Sequence, residues 1–146
     1  MFTKILLPTD GSETAARALQ VAMDLAGRYQ AQLEIVSVVD PLPFVYFADG
    51  GGGAEAMACY QDAAEAAAKQ GIAQAEAGAR AAGLPFSSHV LREHGPAQAI
   101  CEHALSSGSQ LIVMGSHGRR GMDAVLLGSV AQKVLTLAKV PVLVVK

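Results

Sequence analysis

Several things are scarce in this chain, and each scarcity excludes a class of function. Lysine and arginine total 11 of 146 residues against 13 acidic ones, for a net charge of −2. They are scattered rather than gathered into a stripe, so no surface is built to collect nucleic-acid phosphates. Only two cysteines occur, Cys59 and Cys101, both inside stretches that read as helix. A disulfide framework is therefore not expected, and each is read as a small apolar residue in a reducing, cytoplasmic setting. No apolar run approaches the roughly 18 residues of a membrane span, so no membrane insertion is expected. The opening FTKILLPTD reads as a buried strand rather than a targeting signal. No internal repeat interrupts the chain, and its length suits one domain over residues 1–146.

What is present is apolar and periodic. Half of the residues are hydrophobic, and four short runs look like strands covered on both faces: FTKILL (2–7), LEIVSVV (33–39), LIVM (111–114) and VLVV (142–145). A fifth, FSSHVL (86–91), alternates and is more polar, which suits a sheet edge. Helical stretches lie between them. Residues 12–28 begin at Ser12 as N-cap and carry Ala15, Ala18, Leu19, Ala22 and Leu25 on one face. Residues 54–82 are alanine-rich and stop at Gly83 before Pro85. Residues 96–107 start with Pro96 in the first turn and end near Gly108. The last helix runs to about Ala138, with Val130, Val134 and Leu137 as its core face, and Pro141 opens the final strand. The stretch 41–54, with three aromatics, two prolines and four consecutive glycines, has no element assignment and is read as a loop.

Alternating strands and helices predict a doubly wound α/β sheet, five-stranded and parallel, with helices on both faces. In such sheets ligands bind beyond the carboxyl ends of the strands, where the strand order reverses. The loops to inspect are then PTDGS after the first strand, VVDP after the second and GSHGRRGMDAVLLGS (115–129) after the fourth. Ser129-Val130-Ala131-Gln132 matches a capping box, which predicts a helix start at Ser129. Unpaired N–H groups there favour an anion, and Gly128 allows close approach. Gly115 and Gly118 supply a second glycine turn at the sheet edge.

The lysine of a P-loop is missing and the G-x-G-x-x-G spacing is absent. The spacing that does occur is G-x2-G-x9-G-[ST], on Gly115, Gly118, Gly128 and Ser129. In this motif, and in ILLPTDGSETAARAL, VSVVD, IVMGSHGRRGMDAVLLGSVAQKVL and VPVLVVK, the chain resembles the universal stress protein family, specifically its ATP-binding branch.

That resemblance implies a strand order of 3-2-1-4-5 with ATP across the ends of the first, second and fourth strands. It places Pro8, Thr9 and Asp10 beside adenine and ribose, and the backbone of Val38 at the adenine edge. Met114 and Gly115 are placed at the ribose, and Gly118, Gly128, Ser129 and Val130 at the phosphates. It further implies a nucleotide-responsive regulator of stress physiology that meets a protein partner and pairs its last strand, residues 140–146, in a homodimer. Two alternatives stay open: a slow ATPase using Asp10 and Mg2+, and a nucleotide-independent dimeric interaction module. No catalytic residue is assigned, because a hydrolase needs a lysine, a metal carboxylate set or an arginine finger at the phosphates. His117 is read as a solvated loop histidine, with at most one of Arg119 and Arg120 reaching a phosphate. His89, His94 and His103 have no partners at ligand spacing, so no metal site is expected.

Overall fold

In the computed structural model, which describes residues 1–39, 53–92, 95–118 and 127–146, five strands and four helices alternate along the chain. They are β1 (Lys4–Pro8), α1 (Glu13–Tyr29), β2 (Gln32–Val39), α2 (Ala54–Ala81), β3 (Phe86–Arg92), α3 (Pro96–Ser106), β4 (Leu111–Gly115), α4 (Ser129–Leu137) and β5 (Val142–Val145). The sheet is parallel throughout, in the order β3-β2-β1-β4-β5. The polar strand β3 takes one edge, as the patterning of FSSHVL predicts; β5 takes the other, its residues half-buried or exposed rather than covered on both faces as the apolar run VLVV predicts, because an edge strand has a neighbour on one side only.

Side chains that alternate across the strands feed two separate cores. Ile5, Leu7, Leu33, Ile35, Leu111 and Val113 pack beneath α1 and α2, against Ala18, Ala22, Ala26, Ala75 and Ala79. Leu6, Val36, Ile112 and Met114 face the other way, toward Ala97, Ile100 and Ala104 of α3 and Ala131 and Val134 of α4. Ile5, Leu6 and Leu7 are fully buried, each burial stabilising by roughly 2 kcal/mol. Alanine dominates the helix faces because helices lie close to the sheet only where side chains are short.

Local signals set most boundaries. Ser12 caps α1, its hydroxyl accepting the Ala15 N–H at 3.3 Å. Cys59 is exposed and Cys101 buried, both unbonded to sulfur; burial, with the Glu102 charge second, pushes the Cys101 thiol above its usual range. Among the described residues no helix is long and apolar enough to cross a membrane.

The last helix departs from expectation. Ser129 is its first residue rather than its cap; Gly128 is the cap, and no side-chain cap bond forms. Gln132 turns its amide to the Leu127 carbonyl at 2.9 Å instead of closing a box. The core face is also shifted, to Ala131 and Val134, while Leu137 stays 45% exposed.

Candidate functional site

At the carboxyl ends of the strands β1 parts from β4. The two pair only through Ile5 with Leu111 and Leu6 with Ile112, whereas β1 pairs with β2 along its whole length. This is the switch point of the sheet, since the crossovers from β1 and β4 leave in opposite directions. The Thr9 N–H donates to the Val36 carbonyl at 2.8 Å, which holds the β1 loop against β2. The Asp10 carboxylate accepts the Ser12 N–H at 2.9 Å and the Thr9 hydroxyl the Gly11 N–H at 3.3 Å. Side-chain acceptors thereby shape the loop from within.

The glycine turn after β4 fits against this loop. A Cβ on Gly118 would lie 2.8 Å from Asp10 Oδ2, so the missing side chain is what lets the carboxylate reach the turn. A Cβ on Gly115 would lie 2.8 Å from Thr14 Oγ1 and 3.0 Å from the Ala15 nitrogen. Gly115 thus seats the first turn of α1, and Thr14 returns its hydroxyl to the His117 carbonyl. The second glycine turn closes on the first. The Gly128 N–H donates to the Ser116 carbonyl at 2.8 Å, and its Cα faces His117 and Gly118 so closely that an added Cβ would meet Ser116 O at 3.2 Å.

Behind Gly128 stands the start of α4. The first intrahelical bond runs from the Gln132 N–H to the Gly128 carbonyl at 3.0 Å. The N–H groups of Ser129, Val130 and Ala131 therefore have no acceptor within the helix, which is the general condition of a first turn. Ser129 is exposed and Val130 half-buried, while Val38 at the end of β2 is half-buried and Met114 buried. The fold thus gathers Pro8, Thr9, Asp10, Met114, Gly115, Gly118, Gly128, Ser129 and Val130 around one end of the sheet, with Val38 one strand away.

His117 is not a solvated histidine. Its Nδ1 lies 2.9 Å from the Ser116 hydroxyl, and its Nε2 is buried with no hydrogen-bond partner among the described residues. Arg119 and Arg120, His94, and all of the loop 41–54 except Gly53 and Ala54 lie outside the described residues.

Two features escape a reading of motifs. Gly71, in the middle of α2, has its Cα against the β1 loop, where a Cβ would meet the Gly11 nitrogen at 3.0 Å and the Asp10 carbonyl carbon at 3.2 Å. A glycine inside a long alanine helix costs about 1 kcal/mol relative to alanine, and that cost is the signal that could have revealed it. The second feature is Glu34, a carboxylate in the apolar run LEIVSVV whose side chain is only 4% exposed. It accepts from the Ser87 hydroxyl and lies within reach of His89 and His103. Burial alone would raise its pKa. Hydrogen bonds from Ser87 and His103, with the charges of both histidines, outweigh burial and hold it below the ordinary carboxylate value.

Comparison with known proteins agrees with this architecture. The universal stress protein family, as a family model, matches residues 1–146. Universal stress protein MJ0531 of Methanocaldococcus jannaschii is 35% identical over 146 residues, covering 100% of this chain and 83% of that protein. The solved structure of MJ0577, from the same organism, superposes with a TM-score of 0.85 at 28% identity over 100% of this chain and 96% of that one. A universal stress protein in complex with cAMP superposes with a TM-score of 0.72 at 25% identity, covering 99% of this chain and 97% of that one.

Proposed function

The chain belongs to the universal stress protein family, and from that premise we propose that it binds ATP at the switch point and acts as a nucleotide-responsive regulatory module of the cytoplasm. The observation that carries this reading is the closure of two glycine turns on each other, Gly128 on Ser116 and Gly118 on Asp10, at the start of α4. A turn that only linked β4 to α4 would not need glycine on both sides of the contact. The donor set suits a polyphosphate: N–H groups without helical acceptors, the positive end of a helix dipole, and an exposed Ser129 hydroxyl. The complex of a family member with cAMP supports the adenine half of the reading.

Pro8, Thr9 and Asp10 border the ribose and base in this reading, and the backbone of Val38 meets the adenine edge. Met114 and Gly115 floor the ribose. Gly118, Gly128, Ser129 and Val130 hold the phosphates. A carboxylate beside a polyphosphate repels it unless a cation stands between them, and Mg2+ would serve that purpose at Asp10.

Binding is favoured over turnover because, among the described residues, neither glycine turn carries a lysine and Asp10 is the one carboxylate beside them. Purified protein analysed for bound nucleotide and then incubated with Mg-ATP should retain ATP stoichiometrically without steady ADP release. ADP release that disappears in Asp10→Ala would instead establish the slow ATPase. Failure to bind any adenine nucleotide would leave the dimeric interaction module as the surviving alternative.

The same premise extends to assembly. β5 is an unpaired sheet edge, and Leu143 on it remains 39% exposed, as do Leu135 and Leu137 of α4 at 45%. Apolar edges of this kind pair with another chain, and a two-fold axis lets residues 140–146 of two copies run antiparallel. Light scattering at micromolar concentration should report about twice the 15.0 kDa mass of one chain. A charge at the strand, Leu143→Asp, should shift the population to monomer, and a wild-type monomer would refute the pairing.

A further inference from the structure

We propose that Glu34, His89 and His103 form a binding site for a divalent transition-metal ion of the zinc class, separate from the nucleotide site. The three residues come from β2, β3 and α3, and one ligand atom of each lies within 4.8 Å of the others. The register of β2 with β3 sets Glu34 opposite Ser87 and Val36 opposite His89, so Glu34 and His89 emerge on one face of the sheet. That face is covered by α3, which delivers His103 from its last turns.

The arrangement converges on one oxygen. His103 Nε2 lies 2.8 Å and His89 Nε2 3.0 Å from Glu34 Oε1. The other oxygen, Oε2, is engaged by the Ser87 hydroxyl, which in turn accepts from the Gln32 amide at 3.1 Å. Oriented carboxylates with a supporting hydrogen-bonded shell are the usual framework of a metal site. Around a tetrahedral ion with bonds of 2.0–2.1 Å, neighbouring ligand atoms stand about 3.3 Å apart. The two Nε2–Oε1 separations need to open only by a few tenths of an ångström. The imidazole nitrogens lie within 4.8 Å of each other, and His89, whose side chain is half exposed, has room to rotate toward an ion.

Two histidines and one carboxylate leave a coordination position for water or an outside ligand. Space for it adjoins the cluster: His103 also lines a surface cavity of about 300 Å³, with Leu91, Ala99, Glu102 and Ser106. Glu34 is buried and His103 mostly so, at 4% and 16% side-chain exposure, which limits competition from bulk water. Nitrogen and carboxylate donors without thiolate favour Zn2+ over softer ions, and imidazole disfavours Mg2+ and Ca2+. Val38, on the adenine edge, is four residues along β2 from Glu34, about 13 Å at strand rise, so the ion would not touch the nucleotide.

The test uses full-length protein stripped of nucleotide and metal, titrated calorimetrically with Zn2+. One ion per chain is expected, with His89→Ala and His103→Ala each weakening affinity by about 100-fold or more, since loss of even an outer-shell partner costs 10–100-fold. Cys59→Ser should leave binding unchanged. Circular dichroism identifies any variant that fails to fold. In the wild type, imidazole nitrogen spectra provide a readout free of mutation: Zn2+ should shift Nε2 of His89 and His103 and spare His117. No binding at 100 µM Zn2+, wild-type affinity in the two histidine variants, or unshifted His89 and His103 resonances would overturn the site.

Discussion

Gly128→Val is expected to abolish the proposed nucleotide binding and to spare the fold. The backbone at Gly128 has φ −63° and ψ 155°, which any residue adopts, so the requirement for glycine is one of space. A Cβ there lies 3.2 Å from the Ser116 carbonyl oxygen, 3.4 Å from His117 Cα and 3.9 Å from the Gly118 nitrogen. These are main-chain atoms, and no rotamer moves them away. The two branches of valine would drive the turn at 116–118 off the start of α4 and break the 2.8 Å bond from the Gly128 N–H to Ser116. Donors that must converge on the same phosphates would then point apart. Loss of at least about 100-fold in affinity is expected, equivalent to roughly 2.7 kcal/mol, with Gly128→Ala falling between valine and wild type. Neither buried cluster includes Gly128, so far-UV circular dichroism and cooperative unfolding should persist. Calorimetric titration with ATP decides it, and wild-type affinity in the valine variant would disprove the assignment of this turn to phosphate.

Gly115→Ala has the opposite signature, a loss of stability rather than of binding alone. Its Cβ would stand 2.8 Å from Thr14 Oγ1, 2.9 Å from the Thr14 carbonyl carbon and 3.0 Å from the Ala15 nitrogen. The threonine hydroxyl could rotate, but the two backbone atoms belong to the first turn of α1 and cannot. Relief requires α1 to lift from β4. That movement exposes Ala15 and Ala18, now 4% and 0% exposed, and strains the cap at Ser12. Overpacking of this kind costs about 3 kcal/mol, which at this chain length lowers Tm by about 10 °C. Denaturant unfolding measures it directly; a change within about 0.5 kcal/mol, the usual range for uninvolved positions, would show that the contact is softer than the packing implies.

These substitutions separate two meanings of the same motif. As a pattern, G-x2-G-x9-G-[ST] assigns all its glycines to the ligand. In the folded chain they divide: Gly115 serves the packing of α1, Gly118 admits Asp10, and Gly128 joins the two turns. Ser129 likewise changes character. The capping box expected at Ser129 and Gln132 does not form, because Gly128 takes the cap position and Gln132 binds Leu127. The hydroxyl is thereby left at an exposed helix start rather than spent on the cap.

By itself the sequence determined the order of strands and helices, the cap at Ser12, the inward alanines of α1, the polar edge strand β3 and the end of the sheet at which to look. These depend on periodicity and turn chemistry among near neighbours in the chain. The strand order came from family likeness. Tertiary structure alone decided which residues touch across the crossovers. Thr14 meets His117 from 103 positions away, and Glu34 meets His103 from 69. Ligand spacing in the chain cannot reveal such a cluster when each ligand lies on a different element. Nor can it reveal that Gly71 makes room for the Asp10 loop. Parallel strands joined by long crossovers bring distant segments side by side, and the contacts so made depend on register and helix placement rather than on any local spacing.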